Sequence, residues 1–221
     1  MKDKIEIIKD IENQIEQALR NFELHDMLPQ ALDAYQEAEV KLMEVEPAAD
    51  KLIKAEQQRV LSYCLMRQGN ILRQLGKPGE ALALGERELA AARACGDGIT
   101  LARTLMSNGT NLIVSGSREP GLKLLEEARQ LFEQGQSHDH QQGSGWHWIL
   151  QADLANAGLV EKEPAEVIEI STRALDILLP IENWPGVRRA YGARAKAYEM
   201  LGDEKAAQED RRQQEAYENK V

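Results

Sequence analysis

The stretch RQGNILRQLGKPGEALALGERELAAARA, Arg67 to Ala94, decides the fold. It opens as a helix-like run with Gly69 inside it, breaks at Gly76-Lys77-Pro78-Gly79, and resumes as a second helix-like run. Advancing by 40 residues brings the outline back in MSNGTNLIVSGSREPGLKLLEEARQLF, where Gly109 replaces Gly69, Gly116 replaces Gly76 and Gly121 replaces Ala81. A fixed period of this size marks a solenoid, because one helix pair cannot cover its own apolar face and must stack on a neighbour. The rest of the chain reads as further copies, joints between copies, and end caps.

Composition agrees with helices packed through small residues. Aromatics make up only 5% of the 221 residues, while Ala, Leu, Glu, Gln and Arg are abundant. A formal net charge of −10 argues against non-specific binding to nucleic acid or to an anionic membrane. No stretch approaches the apolar length of a membrane span. The opening MKDKIEIIKDIE has no uninterrupted apolar core of the kind a signal peptide needs, so the cytoplasm is the expected location. Cys64 and Cys95 fall on predicted helices and read as small buried hydrophobes, not as a disulfide or a paired-cysteine site.

Residues 3–22 read as a helix with Ile8, Ile11, Ile15, Ala18 and Phe22 at alternating steps of three and four. A coiled-coil seam would share this spacing but would span barely two heptads, so docking on a neighbouring helix of the same chain is expected. A turn at residues 25–29 leads to a second helix with Ala31, Tyr35 and Ala38 on one face, ending at Glu46-Pro47. Pro47 suits the first turn of the next helix, where its missing N–H does no harm. That helix is long, from about Ala48 to Leu75, and residues 78–94 form its partner. Residues 99–114 and 119–134 make the next pair. Residues 135–145, GQSHDHQQGSG, are polar, bear glycine and lack periodicity, so they read as a flexible connector and the most mobile internal segment. Helices then follow at about 146–160, 164–179, 187–201 and 204–219, and the last has lost most of its apolar face, as a cap requires. The chain thus reads as one domain, 1–221: a divergent N-terminal helix pair (1–47), two regular repeats (48–134), the connector (135–145), a third repeat and the start of a fourth (146–203), and a capping helix (204–221).

In phase with this layout, Gln68-Gly69 precedes Leu72, Asn108-Gly109 precedes Leu112, Leu154-Ala155 recurs, and Arg194-Ala195 precedes Tyr198. A weaker copy has Leu19 with Phe22, then Ala31, Tyr35 and Ala38. These places resemble the tetratricopeptide repeat (TPR) family, in which a small residue of the first helix lets the two helices approach and a large one fills the gap beside it. Gly69 to Gly109 and Ala155 to Ala195 are each 40 residues apart, longer than the family's usual repeat, so each helix gains turns. Arg211 and Gln214 stand where the last copy should be apolar. The resemblance implies an all-α fold, a right-handed superhelical array of antiparallel pairs with about ten helices, in which first helices line a concave groove.

If so, charge placement is informative. Residues 57–79, 98–117 and 185–197 contain no acid, while Glu86, Glu88, Glu126, Glu127, Glu166 and Glu169 stud the second helices, as though acids were kept off the inner face. The first helix, with Asp3, Glu6, Asp10, Glu12 and Glu16, breaks this rule. One place after the small residue, where the family often puts an Asn that bonds an extended peptide, stand Asn70, Thr110, Asn156 and Lys196. Asn offers a donor and an acceptor together, which suits a peptide unit. The expected groove is therefore Tyr63, Arg67, Asn70, Arg73, Arg103, Thr110, Asn156, Arg189 and Lys196. The family's carboxylate clamp for chaperone tails does not carry over, because Met66, Ile149 and Asp153 occupy its basic places.

No phosphate loop, nucleophile elbow or metalloprotease motif is present, and no enzyme activity or cofactor is expected. His138, Asp139, His140 and His147 form the one metal-like cluster, but a zinc site needs fixed tetrahedral geometry that a connector would not supply. Trp146, Trp148 and Trp184 flank joints and are expected to pack there. The leading expectation is an interaction scaffold that binds a protein or peptide segment, acidic by preference, in a mildly basic groove. It implies no direct nucleic-acid or membrane partner. The alternatives are a self-associating structural module, dimeric through its N-terminal helix, or a sensor subunit in a bacterial peptide-signalling system.

Overall fold

The computed structural model describes residues 3–46 and 50–220. The expected start of the third helix at Pro47 and Ala48 lies outside the described residues. Ten α-helices follow one another: α1 (Lys4–Asn21), α2 (Leu28–Glu44), α3 (Lys51–Gln74), α4 (Pro78–Cys95), α5 (Gly98–Val114), α6 (Arg118–Phe132), α7 (His138–Asn156), α8 (Pro164–Leu178), α9 (Trp184–Leu201) and α10 (Glu204–Ala216). Short 3-10 turns at Glu23–His25 and Glu218–Lys220 complete the chain, and no strand occurs among the described residues. No helix among them is long and apolar enough to cross a membrane. The chain divides into two compact units, Met1–Leu125 and Glu126–Val221, with the boundary inside α6.

The second helix of a pair buries three places at i, i+4 and i+7, one stripe of a 3.6-residue helix. They are Ala31, Tyr35 and Ala38 in α2, Ala81, Gly85 and Glu88 in α4, Gly121, Leu125 and Ala128 in α6, and Val167, Ser171 and Ala174 in α8. In the first unit the stripe of α2 meets Ile8, Ile11, Ile15 and Ala18 of α1 and Val60, Cys64 and Leu65 of α3 in one apolar cluster. The Cys64 thiol is fully buried there, and burial pushes it up to about 12, so it behaves as the inert hydrophobe its context predicts. In the second unit Ile149, Ala174, Leu175, Leu178, Val187 and Ala190 form the core, with the half-buried Trp146, Trp148 and Trp184 packed on it. Only Ala207 and Asp210 of α10 are buried.

The 40-residue period is visible in the turns. Gly76 and Gly116 adopt φ of 72° and 90°, and in both turns the next residue donates back across the helix end, Lys77 to Leu72 O and Ser117 to Leu112 O, each at 2.8 Å. This is the left-handed helix stop that glycine accepts without a Cβ clash.

The segment expected to be a mobile connector is different. Residues 138–145 form the first two turns of α7, leaving a short link after Phe132. Ser137 is the N-cap, with its Oγ facing the His140 N–H at 3.4 Å, and it starts the helix as a serine at this place should. The glycines read as loop composition are packing sites instead: a Cβ on Gly143 would strike the Phe132 ring and one on Gly145 the Leu178 side chain.

Two glycines that occupy the same place in the repeat differ sharply. A Cβ on Gly109 would lie 2.8 Å from Gly121 O, and one on Gly121 would lie 2.5 Å from Gly109 O and 2.6 Å from Ile113 Cγ1. Here α5 and the start of α6 touch backbone to backbone. A Cβ on Gly69 meets nothing nearer than Asn111 Nδ2 at 3.9 Å. We therefore expect Gly109→Ala to destabilise the protein by about 1–3 kcal/mol through overpacking. Gly69→Ala should be neutral or stabilising, by up to about 1 kcal/mol, because alanine is the better helix former. Urea unfolding followed by circular dichroism checks both, and equal losses at the two positions would contradict the close-approach assignment.

Candidate functional site

The predicted groove residues are distributed over both units, and each unit holds its share differently. In the first unit, Arg59 and Arg67 of the acid-free run on α3 are met by α1 and the turn that follows it. Arg59 bonds Glu12 Oε2 at 2.7 Å and Glu56 at 2.8 Å. Tyr63 donates to Glu16 Oε1 at 2.8 Å. Arg67 forms an ion pair with Glu23, its Nε reaching Oε2 at 3.1 Å, and Tyr35 donates to the same oxygen at 2.7 Å. The Arg67 side chain is only 16% exposed. Glu12 of α1 and Glu23 of the turn thus neutralise Arg59 and Arg67 of α3, and Tyr63 and Arg67 form a joint between helices.

Arg73 reaches along the same helix to Asn70 Oδ1 at 2.8 Å and across to Asn111 Oδ1 on α5 at 2.6 Å. It therefore ties two successive first helices together. Thr110 is buried and donates back to Met106 O at 2.8 Å, a bond internal to its helix. Arg103 is half-buried on α5 and its charge acts on Asp97, the N-cap of that helix.

In the second unit the corresponding tie joins α7 to α9. Arg189 bonds Asp153 Oδ2 at 2.6 Å, Asn156 Nδ2 donates to Ala193 O at 2.9 Å, and Lys196 donates to Asn156 O at 2.7 Å. Burial pushes the Asp153 carboxyl up, against the pull of Arg189. The Arg189 side chain is 57% exposed and its guanidinium lies 6.0 Å from the centre of the Trp146 ring. Lys196 is exposed as well. So Asn156, Arg189 and Lys196 are brought together on the α7–α9 face, whereas Tyr63, Arg67, Asn70 and Arg73 serve mainly as ties in their own unit.

Some partners in these ties carried no sequence signal. Asn111, Glu23 and Asp153 follow no repeat rule that distinguishes them from other polar surface residues. Another set did recur. The residue before each small position points to an acid of a second helix: Gln68 to Glu39 Oε2 at 2.6 Å, Asn108 to Glu88 Oε2 at 3.4 Å, and Arg194 to Asp210 at 2.7 and 2.8 Å. Leu154 is the apolar member of the series. Glu88, expected on the outer face, is buried: the place it fills holds Ala38 in α2 and Ala128 in α6.

The histidines do not converge. His138 is exposed and His140 bonds Ser137 through Nδ1 at 2.7 Å, while His147 is fully buried with Nε2 at 2.7 Å from Gln151 and no partner on Nδ1. Among the described residues no group of three His, Cys, Asp or Glu could hold a metal.

Neither a protein-family model nor a curated protein matches the sequence. Solved structures do resemble this one. A protein of Podosopora anserina, assigned as a kinesin light chain with nearly identical TPR-like repeats, aligns with all of this chain and 98% of its own length, at 15% identity and a TM-score of 0.56. BtubC (BKLC) from P. vanneervenii aligns with 98% of this chain and 91% of its own, at 13% identity and a TM-score of 0.59. The apo form of RapI aligns with 92% of this chain and 63% of its own, at 13% identity and a TM-score of 0.54. At these identities the likeness is one of fold, and the fold is all-α and TPR-like.

His147 provides a pH prediction. Burial first, and then the positive charge of Arg129, push its imidazole down to about 4. The folded form therefore binds fewer protons than the unfolded form between about pH 4 and the ordinary imidazole value of 6.5. Stability contributed by neutral His147 is present above pH 6.5 and is lost as pH falls through 4. Replacing it with Gln should make tryptophan-detected unfolding less steep in pH over that window. An unchanged slope would show that His147 titrates normally in the folded state.

Proposed function

We propose that the chain is a repeat-based protein-interaction scaffold, with first-helix faces that take an acidic segment of a partner protein or peptide. The observation that carries this reading is the face of α9, where Arg189 and Lys196 lie seven residues apart, two helical turns, with their head groups turned toward α7. Lys196 donates to a neutral carbonyl and shares the field of Asp153 with Arg189, yet it stays exposed and can be offered to a carboxylate. Arg189 shares one carboxylate and stays more than half exposed beside Trp146, a ring able to add apolar contact to the anchor. Asn156 binds both ways across the same helices and frames the peptide-sized interval between the two cations. Tyr63, Arg67, Asn70, Arg73, Arg103 and Thr110 enter the reading as the matching first-helix residues of the other unit, with Asn70 and Arg103 the half-buried places a ligand would meet. The similarity to TPR-like structures supports an interaction role.

Attraction between such cations and an acidic segment speeds encounter and weakens with salt, since screening acts over about 8 Å at physiological ionic strength. Partners captured from lysate and identified by mass spectrometry should bind the purified chain directly. Combined Arg189→Glu and Lys196→Glu should weaken that binding at least about tenfold, equivalent to about 1.4 kcal/mol, with helicity unchanged. Arg73→Glu should instead lower stability, because it breaks the ties to Asn70 and Asn111. Binding indifferent to both salt and the α9 reversals would overturn the reading, and a dimer mass in solution with no captured partner would favour self-association.

A further inference from the structure

The buried stripe of α4 departs from those of α2 and α6 in two successive places. Where α2 has Tyr35 and Ala38, and α6 has Leu125 and Ala128, α4 has Gly85 and Glu88. The large apolar residue is missing and a carboxyl stands where a methyl belongs. The space that Tyr35 or Leu125 fills elsewhere is taken by Asn108, which packs so closely on Gly85 that any Cβ there would collide with its amide oxygen. Glu88 itself is 1% exposed. Its Oε2 receives Ser107 Oγ at 3.3 Å and Asn108 Nδ2 at 3.4 Å, both long contacts, and its Oε1 has no partner. The Thr104 hydroxyl is a third neutral hydrogen-bonding group for this carboxyl and is itself bonded to Ser62 of α3 at 2.9 Å.

The charges around this carboxyl do not compensate it. On its own helix, Glu86 and Arg87 are exposed, and Arg87 pairs with Glu39 of α2. From α5 come the neutral Thr104, Ser107 and Asn108, and Arg103 on that helix acts on Asp97. From α3, among the described residues, it is the charge of Arg73 that reaches Glu88, and that guanidinium is bonded to Asn70 and Asn111. An ionised carboxylate in such a place loses its hydration without gaining a salt bridge, a cost that proteins avoid by protonation.

From this arrangement we infer that the seam between α4 and α5 is a proton-linked joint, closed while Glu88 carries a proton and loosened when it ionises. Burial raises this carboxyl to about 8, which places the transition close to physiological pH. An acid whose folded value lies above its unfolded value holds an extra proton when folded, so its contribution is complete below about pH 4.5 and is lost as pH rises through 8. The joint links one helix pair to the next, and in a repeat array such interfaces set how tightly neighbouring pairs are coupled. Ionised Glu88 would also compete for Arg73 and so loosen its tie between α3 and α5. Loosening at this seam is a property of the first unit and does not depend on which partner the chain binds.

The test is urea unfolding of the full chain from pH 5 to pH 9, followed by circular dichroism, for the natural protein and for Glu88→Gln. The amide keeps the shape and hydrogen bonds of the protonated acid but cannot ionise. Between pH 6 and pH 8 the unfolding constant of the natural protein should rise relative to that of the variant by at least about tenfold, since a full proton of linkage changes it tenfold per pH unit. Hydrogen exchange in the natural protein, corrected for intrinsic rates, should show the amides of α5 losing protection over the same range before those of α1 do. A ratio that stays flat from pH 6 to pH 8, or α4 and α5 amides whose protection ignores pH, would overturn the joint.

Discussion

A second helix in this chain presents three buried places, spaced four and three residues apart, and that stripe is too narrow to fold on its own. In the first unit the stripe of α2 is covered from both sides, by α1 of its own pair and by α3 of the next. Every other feature of the architecture serves that covering. Long helices give each stripe its length, left-handed glycines such as Gly76 and Gly116 stop the first helix so that the second can return, and the polar α10 leaves its outer side to solvent. Where the stripe is apolar and small, as at Gly121, backbones touch and a single methyl group is too much.

Polar bonds do a different job in the same frame. They run between successive first helices: Arg73 to Asn111 in one unit, Arg189 to Asp153 and Lys196 to Asn156 in the other. Dispersion and burial are non-directional, so they hold the apolar helices together without assigning any one polar atom its partner. A guanidinium that must meet one particular amide or carboxylate fixes the register. Ties of this kind occupy the proposed binding faces, so under that proposal recognition has to share its residues with the scaffold.

The fold was legible because it is written in repetition. A period of 40 residues, glycines returning in phase and the alternating apolar steps of α1 each report a backbone requirement, and a backbone requirement survives changes in neighbouring side chains. The site was much less legible. Arg67 and Tyr63 look like groove residues until Glu23 and Glu16 arrive from a distant part of the chain, and nothing local to α3 announces them. Glycine misled in the other direction: at Gly143 and Gly145 it marks close packing against Phe132 and Leu178, although beside Gln and Ser it has the composition of a loop. Ser137 was the available signal that a helix starts there. Glu88 was legible only by alignment of one stripe with another, since as a lone residue it resembles every other glutamate on a solvated face.

The placement of the three indoles has a spectroscopic consequence. Trp146, Trp148 and Trp184 all belong to the second unit, and all three are packed half-buried on its core, with Arg173 lying 4.3 Å over the Trp148 ring. The first unit contains no tryptophan and is represented in the near ultraviolet by Tyr35 and Tyr63, whose hydroxyls are both held by glutamates. Indole emission is therefore an intrinsic label for one half of the molecule, while far-ultraviolet ellipticity samples both. The two signals coincide during denaturation only if the halves melt as one, so a pair of ordinary optical probes measures the cooperativity of this chain without any added dye.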